Sequence, residues 1–184
     1  MATVLDARDC GDLLMEQLMV TSAHRSAASG EAADMGAVHN SILQGRGNLS
    51  GIIAEHMVAE MIGAERRNTK DYDLVMPDGT TVDVKCKRTH YKPEADFEAS
   101  IAATSTHQRC DIYCFARILY NTSWLYVMGF YPKDLYLADA TYLRKGDYDP
   151  SNDFTVKWSC HNLPHHRLMT WSEAYAHVLS KRPI

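Results

Sequence analysis

Several features that mark specialised classes of protein are missing from the sequence. It contains no run of eighteen apolar residues, so we expect no transmembrane helix and no membrane partner. The first twenty residues carry acids early and no basic segment before an apolar stretch, so we expect no signal peptide. No internal repeat and no linker divides the 184 residues, a length that suits one domain. We therefore expect a single α/β domain over residues 1–184, with an N-terminal helical segment at about 1–45.

Paired cysteines and an excess of positive charge are also missing. The five cysteines include no CxxC pair, and we interpret them as reduced thiols, which are typical of cytoplasmic proteins. The net charge is -4, whereas domains that bind nucleic acid are usually basic. Positive charge is nevertheless concentrated in two clusters, one of Arg66, Arg67 and Lys70 and the other of Lys85, Lys87, Arg88 and Lys92.

Apolar spacing predicts helices in the first third of the chain. Residues 4–21 fit a helix over their second half, and the Ala-, Ser- and Gly-rich residues 22–36 fit a loose connection or a weak helix. Apolar residues recur at helical spacing from roughly Leu49 to Ile62, and Gly63 is a typical residue at the end of a helix. The sequence therefore predicts a helix over roughly 49–62 that ends at Gly63.

The period then changes to that of β-strands. Residues 73–76 and 81–87 are two strand-like runs, and Pro77-Asp78-Gly79 between them is strong turn chemistry, so the segment predicts a β-hairpin. After the hairpin we expect a polar loop or short helix at 94–107, followed by paired strands at 111–118 and 123–130. Pro132 then opens a short helix, and the chain to residue 165 is expected to be mixed loop and strand. A final helix, capped by Thr170 or Ser172, runs to about Leu179.

The predicted hairpin brings acidic residues together. Counting back from the turn places Asp73 opposite Asp83 or Val84, with roughly 5 Å between Cβ atoms. Because side chains alternate along a strand, Asp83 shares one face with Lys85 and Lys87, and we expect this face to be exposed to solvent. Neighbouring carboxylates repel each other, and a divalent cation removes the repulsion because it prefers oxygen ligands. The pattern favours a metal site beside a lysine, as phosphodiester hydrolysis requires.

The same residues carry a resemblance to a known family. Asp73 followed by Asp83-Val84-Lys85 resembles the core motif of the PD-(D/E)XK nuclease superfamily. In that family a helix before the hairpin often supplies a glutamate, and residues 51–59, which include Glu55, resemble that helix. The chain departs from the motif at Tyr72, which stands where the family has proline. Two further segments, residues 109–113 and 126–130, resemble the later strands of small nucleases common in phage genomes, and the likeness covers roughly residues 49–135.

The resemblance implies a fold, an activity and a location. The fold is a restriction-endonuclease-like α/β core, a mixed central β-sheet flanked by α-helices. The activity is hydrolysis of DNA phosphodiester bonds, as an endonuclease or exonuclease, with Mg²⁺ or Mn²⁺ as cofactor. Because cutting both strands commonly uses two active sites, we expect a homodimer. The expected location is cytoplasmic, in a bacterial host if the chain is phage-encoded.

The resemblance also assigns roles to residues. Glu55, Asp73, Asp83 and Lys85 form the catalytic set. Asp73 and Asp83 ligate the metal, helped by the backbone carbonyl of Val84, while Glu55 completes the site directly or through water. Lys85 orients the attacking water and steadies the phosphate.

Two other acids compete for these roles. Glu60 lies five residues after Glu55 and faces elsewhere on a helix. Asp78 belongs to a literal Pro-Asp pair, but it lies five residues from Asp83, some 16 Å along an extended strand at ~3.3 Å per residue. That distance is too long for the two acids to share a metal, so Asp73 is preferred to Asp78. Glu55 is preferred to Glu60 because the resemblance implies it.

Three polar residues are candidate DNA contacts. Lys87 and Arg88 continue the catalytic face and are expected to grip phosphates, although charged residues also serve as solubilising edges of sheets. Gln108 precedes the strand at 111–118, where it contacts DNA or the attacking water or is simply a surface glutamine. Two rival functions stay open, a catalytically inactive DNA-binding protein of the same fold and a viral interaction protein whose hairpin acids are incidental.

A second set of residues offers zinc ligands and is disfavoured. It comprises Cys110, Cys114, Cys160, His161, His165 and His166. Thiols on buried strands usually behave as small apolar residues, and zinc sites prefer a short CxxC knuckle. Packing in the core, rather than stacking on bases, is the expected role of the aromatic residues Tyr113, Phe115, Trp124, Tyr126 and Phe130.

Overall fold

The structure is a computed structural model, and it describes residues 15–35, 48–67, 69–95, 97–149 and 153–182. The helices are α1 (Ser22–Met35), α2 (Asn48–Ile62), α3 (Lys133–Asp139) and α4 (Trp171–Ser180). The strands are β1 (Glu16–Met19), β2 (Glu65–Arg66), β3 (Leu74–Val75), β4 (Thr81–Thr89), β5 (Glu98–Ala102), β6 (Ile112–Leu119), β7 (Trp124–Pro132), β8 (Thr141–Leu143), β9 (Tyr148–Asp149), β10 (Phe154–Thr155) and β11 (Cys160–Pro164). The fold is mixed α/β, as expected.

Six strands form the central mixed sheet, in the order β1-β7-β6-β4-β3-β2. Strands β4 and β6 at its centre are parallel, and their neighbours are antiparallel. A parallel pair needs a crossover connection, and here the connecting segment contributes β5 to a second sheet, in which β11 lies between β5 and β8. A small two-stranded sheet of β9 and β10 completes the pairing.

Alternation along the central strands sends side chains into two separate cores. Val82, Val84 and Cys114 face a core shared with α1, α2 and α4. Tyr113 and Phe115 point to the opposite side of β6, where they pack with β5, β11 and α3. The central sheet is therefore covered on both faces, by helices on one and by the second sheet with α3 on the other. None of the helices in the described ranges is long and apolar enough to span a lipid bilayer.

Most of the predicted elements are confirmed with small shifts of their bounds. Helix α2 is followed by Gly63 with a φ of +70°, a backbone conformation that favours glycine. The hairpin is present, and the strands predicted at 111–118 and 123–130 pair antiparallel as β6 and β7. Helix α4 begins after Thr170, whose side chain forms a capping box with Glu173.

Two predictions of secondary structure are wrong. The helix over the second half of residues 4–21 is a strand where the structure describes it, since β1 pairs with β7; residues 1–14 and 36–47 lie outside the described part. The N-terminal helical segment at about 1–45 is thus helical only in α1 among its described residues. The segment 94–107, predicted as a polar loop or short helix, does contain a short 3₁₀ helix at Ala103–Ser105, but the prediction missed β5, in which Ala99 and Ile101 alternate with less buried neighbours.

Candidate active site

The hairpin of β3 and β4 sets two aspartates opposite each other. Leu74 pairs with Val82, and continuing this register by one residue places Asp73 opposite Asp83. The Asp73 N–H donates to the carbonyl of Val82 (3.0 Å). The N–H of Val84 donates to Asp73 Oδ2 (2.7 Å). The turn predicted Asp73 opposite Asp83 or Val84, and the register of the hairpin places it opposite Asp83.

Negative charge is crowded around Asp73. Loss of hydration on burial is the largest cause that raises the pKa of Asp73 well above its ordinary value, and the charges of Asp83 and Glu55 raise it further. The N–H of Val84 and the ammonium of Lys85 lower this pKa, but they do not cancel the increase. The nearby N–H group and ammonium therefore do not fully compensate the negative charge around Asp73.

Asp83 is buried, which overturns the expectation of a solvent-exposed face. Its residue is 2% exposed, because β5 and the second core lie over this side of β4. Lys85 Nζ lies 2.6 Å from Asp83 Oδ2, but this ion pair does not have the angles of a hydrogen bond. Among the described residues that oxygen has no hydrogen-bond partner, so it keeps capacity for a further ligand.

Glu55 lies on α2 and shares its carboxylate with an arginine. Arg66 donates to Glu55 Oε2 (2.9 Å) and, through both terminal nitrogens, to Glu31 of α1 (2.8 Å each). His56 Nε2 lies 2.6 Å from Glu31 Oε1, so two acids and two bases form one partly buried network. This network fixes the rotamer of Glu55 beside the hairpin acids.

The two competing acids lie elsewhere. Glu60 faces His24 at 3.4 Å and its side chain is 64% exposed. Asp78 accepts hydrogen bonds from Thr80 (2.9 and 3.0 Å) and pairs with Arg182 (2.9 Å) after the end of α4. Both acids therefore have their own partners away from the hairpin cluster.

The acids suit a hard divalent cation by chemistry, although they do not surround one point. In the described ranges, no three His, Cys, Asp or Glu side chains are placed so that they could hold a metal ion. Glu55 is engaged by Arg66, and Asp73 Oδ2 accepts the N–H of Val84, whereas Asp83 Oδ2 is left without a hydrogen bond. A cation at the two aspartates therefore requires Glu55 to leave Arg66 or to act through water.

The predicted DNA-binding residues take three different positions. Gln108 joins the cluster, since its Oε1 accepts a hydrogen bond from Lys85 Nζ (2.8 Å). Lys87 follows Lys85 on the same face of β4, two residues along the strand. Arg88 does not continue that face: its Nε donates to Ser50 Oγ of α2 (2.8 Å), on the opposite side of the sheet.

The candidate zinc ligands are dispersed. Cys110 and Cys114 are buried in the two different cores, on opposite sides of the sheet. Both ring nitrogens of His165 contact backbone carbonyls, those of Met128 (2.9 Å) and Glu94 (3.3 Å). Four of the five aromatic residues assigned to the core are buried, namely Tyr113, Phe115, Tyr126 and Phe130, and Trp124 is partly buried.

Sequence reasoning did not single out Glu31, Arg66 or Arg117. Arg66 contacts Glu55 and Glu31 only through folding, from 11 and 35 residues away along the chain, and no local sequence pattern predicts such contacts. Arg117 did carry a signal, because it is the one charged residue in the otherwise uncharged strand Ile112–Leu119. A lone charge in a buried strand is costly unless something compensates it.

Comparison with known proteins adds no assignment to this geometry. No family model matches the chain, and no curated protein matches its sequence. Family membership and function are therefore argued from the residues and their arrangement.

Proposed function

We propose that the chain is a divalent-metal-dependent nuclease of the PD-(D/E)XK type, with a restriction-endonuclease-like core, that hydrolyses phosphodiester bonds of DNA. The observation that carries the proposal is the meeting of Asp73, Asp83 and Lys85 at one end of β4. Facing carboxylates repel each other, and the raised pKa of Asp73 shows that its charge is disfavoured in the fold, so a purely structural hairpin would gain from losing it. Such perturbed groups concentrate at functional sites.

A divalent cation fits the donors of this cluster. In the proposal Asp73, Asp83 and Glu55, with the carbonyl of Val84, hold Mg²⁺ or Mn²⁺. When bound, such a cation supplies an activated water at neutral pH and offsets the negative charge that grows on phosphorus. The buried Asp83 Oδ2 supports the assignment, since Lys85 balances its charge at 2.6 Å but no donor completes a hydrogen bond to it, so a lone pair stays open to coordination.

Lys85 is the residue proposed to act on the reacting atoms. An ammonium has three donors and no acceptor, so Lys85 is not a metal ligand. Asp83 and Gln108 hold its Nζ atom at 2.6 and 2.8 Å, which leaves a donor direction for the attacking water or a phosphate oxygen. Gln108 is accordingly a positioning residue, because it acts through Lys85.

The proposal extends to assembly and location. Cutting both strands of a duplex at once takes two active sites, and a homodimer provides them. A cytoplasmic location agrees with the free thiols of the described cysteines, which are Cys86, Cys110, Cys114 and Cys160.

A plasmid assay with matched hairpin variants tests the activity. Wild-type protein is incubated with supercoiled and linear DNA in Mg²⁺, in Mn²⁺ and in EDTA, beside Asp83→Asn and Asp78→Asn. We expect cleavage in either metal and none in EDTA. Asp83→Asn should lose at least about a hundred-fold in rate, because it removes a metal ligand. Asp78→Asn should retain the wild-type rate, because Asp78 pairs with Thr80 and Arg182 instead.

The outcomes separate the proposal from its rivals. Metal-dependent cleavage that Asp83→Asn keeps would move the active site away from the hairpin. Binding of DNA by gel shift without cleavage in any metal would favour an inactive DNA-binding protein. Absence of both binding and cleavage would favour an interaction protein whose hairpin acids are incidental.

A further inference from the structure

An open cleft of about 730 Å³ lies beside the proposed active site. Its walls come from the C-terminal part of β4, from β6, and from the second sheet with the segment that carries Trp158. Lys85 and Lys87 both border the narrow space between β4 and β5, so the cleft and the site share one face of β4. The two lysines are two residues apart, roughly 6.6 Å along the strand.

Positive charge is concentrated on the floor of the cleft. Lys87 of β4 and Arg117 of β6 are direct partners in the parallel ladder. Like charges placed opposite each other destabilise a sheet. Desolvation, followed by the nearby Arg117, lowers the pKa of Lys87 to about 8, although its side chain faces the water of the cleft. An anion between the two cations would relieve both effects.

The balance of charge along the lining also favours an anion. Three cations, Lys87, Arg117 and Lys157, border the cleft against two acids, Glu98 and Asp149; Arg88 also borders it, but it donates to Ser50 on the opposite side of the sheet and is not counted. The local excess is therefore one positive charge, three minus two, in a chain whose net charge is -4. This is the sign that nucleic-acid backbones require.

Large aromatic side chains stand exposed around the same cleft. Tyr91, Tyr120 and Trp158 are 61%, 54% and 60% exposed. Tyr120 is already stacked on the imidazole of His90, with 4.1 Å between ring centroids. Exposed rings that are grouped around a groove mark binding surfaces rather than core. Rings beside cations are the two components with which proteins bind single-stranded nucleic acid.

The combination favours an unpaired strand over a duplex. Bases inside a duplex have both faces covered by their neighbours, so they cannot stack on protein rings. Bases of a single strand leave their faces free for such stacking. A strand that passes from Lys85 to Lys87 would carry its next phosphate to Arg117 and its bases to the aromatic walls.

We propose that this cleft binds a single-stranded segment of DNA next to the scissile bond, with Lys87 and Arg117 on a phosphate and Tyr120 and Trp158 stacked on bases. The inference rests on the proposed nuclease function and narrows its substrate to DNA that carries an unpaired stretch, such as an overhang, flap or resected end.

Fluorescence anisotropy with a labelled oligothymidylate of about twelve nucleotides tests the cleft, with a blunt hairpin duplex as the second probe. Ca²⁺ replaces Mg²⁺ so that binding is measured without cleavage. The variants are Tyr120→Ala and Trp158→Ala, and Tyr142→Ala is the control because Tyr142 is 48% exposed but outside the cleft. We expect wild type to prefer oligothymidylate, and each cleft variant to bind it about tenfold more weakly. The control should bind both probes like wild type.

The results distinguish failure of the cleft from failure of the enzyme. Oligothymidylate binding that Tyr120→Ala and Trp158→Ala leave unchanged, in a protein that cleaves DNA through Lys85, overturns the cleft and leaves the nuclease. If the wild type binds the blunt duplex as tightly as oligothymidylate, the proposed single-strand site is overturned as well. Loss of oligothymidylate binding in both variants, in a protein that cleaves no DNA, supports the single-strand site and overturns the proposed function.

Discussion

At the beginning of β4, Asp73 and Asp83 face each other across the hairpin; towards its end, Lys87 and Arg117 face each other across the parallel ladder. We call these pairs the acidic end and the basic end of β4. Both juxtapose like charges, and both shift a pKa towards the neutral form, upwards for Asp73 and downwards for Lys87. A bound ion of the opposite charge would therefore relieve the repulsion at each end.

The two ends differ in burial, and burial decides how much each can adapt. Asp83 is 2% exposed and Arg66 holds Glu55, so the side chains of the acidic end are fixed by their surroundings. The rings beside the basic end are exposed and can follow a flexible ligand. Changes at the acidic end should therefore affect catalysis and folding strongly, and changes at the basic end should affect affinity mildly.

The largest effect is expected from Lys85→Ala. Losing one donor that acts on the transition state typically lowers the rate about a hundred- to thousand-fold, or roughly 3–4 kcal/mol. Binding of DNA in Ca²⁺ should change little, because the proposed phosphate contacts of the bound strand are made by Lys87 and Arg117. The measurement is single-turnover cleavage with anisotropy in parallel. Circular dichroism in Ca²⁺ is the folding control, since the variant leaves buried Asp83 without its cation. A variant that cuts as fast as wild type would place the active site elsewhere.

A smaller effect, on stability, is expected from Arg66→Met. The substitution leaves Glu31 and Glu55 without their shared partner, and both Arg66 and Glu55 are mostly buried. We expect a loss of about 2 kcal/mol in the free energy of unfolding. Arg67→Met is the matched control, because its partner Glu65 is exposed and such pairs contribute less than about 1 kcal/mol. Urea unfolding of both variants checks the contrast; equal losses would show that the Glu55 network is not a buried one.

Asp73→Asn should act in the opposite direction. Because folding raises the pKa of Asp73, the wild type keeps its full stability at acidic pH and loses part of it as pH rises above the ordinary range of an aspartate. In EDTA at pH 7 the variant should therefore be more stable than wild type in urea unfolding. The difference in stability should shrink at low pH, where Asp73 of the wild type is neutral in both the folded and the unfolded state. It should also shrink in Mg²⁺, because the cation binds the folded wild type and thereby stabilises it.

Asp78→Asn on the same hairpin provides the internal contrast for that measurement. Burial acts to raise the pKa of Asp78, but hydrogen bonds from the N–H and the hydroxyl of Thr80 outweigh it and hold this pKa below its ordinary value. Removing this charge should destabilise the fold at pH 7, and the loss should fade as pH falls through the pKa. If both variants change stability with the same sign, then the hairpin acids do not differ as the structure implies.

The acidic end was predictable from sequence, and the reason is that its contacts are local. Turn chemistry at Pro77-Asp78-Gly79 fixes the hairpin, and a hairpin fixes which residues face each other. The burial of Asp83 was missed because a period-two pattern shows which side chains share a face but not what covers it. Here the cover is the second core, which contains Cys110 and Tyr113 and to which β5 contributes. Strand β5 was itself missed because its small residues alternate too weakly in hydrophobicity to stand out.

The basic end and the helix network could not be predicted in the same way. The Lys87–Arg117 pair joins residues thirty positions apart through a parallel ladder whose register no turn specifies. Strand β1 was misread as helix because its partner, β7, lies more than a hundred residues away, and pairing rather than local preference determines edge strands. Arg66 was visible only as part of a positive cluster, which its pairing with Glu31 and Glu55 largely neutralises.

The smallest expected effect is at the basic end, in the pH dependence of binding. Desolvation and the charge of Arg117 on β6 lower the pKa of Lys87 to about 8, although Cys160 of β11 and Glu98 of β5 act to raise it. Lys87 therefore loses its proton as pH rises through a range in which an ordinary lysine stays charged. Wild-type affinity for oligothymidylate should therefore fall severalfold between pH 7 and pH 9.5.

Lys87→Ala should bind weakly at both pH values, and its salt slope should be smaller by about 0.7 because it neutralises one phosphate fewer. Lys87→Arg should keep the affinity at pH 9.5, because a guanidinium stays protonated. Lys181→Ala, whose partner is Asp134 far from the cleft, is the control and should follow wild type. Anisotropy titrations at two pH values and several salt concentrations measure both quantities. A wild-type affinity that Lys87→Ala reproduces at every pH and salt concentration would remove Lys87 from the proposed DNA-binding surface and leave the acidic end as the only end of β4 with a proposed function.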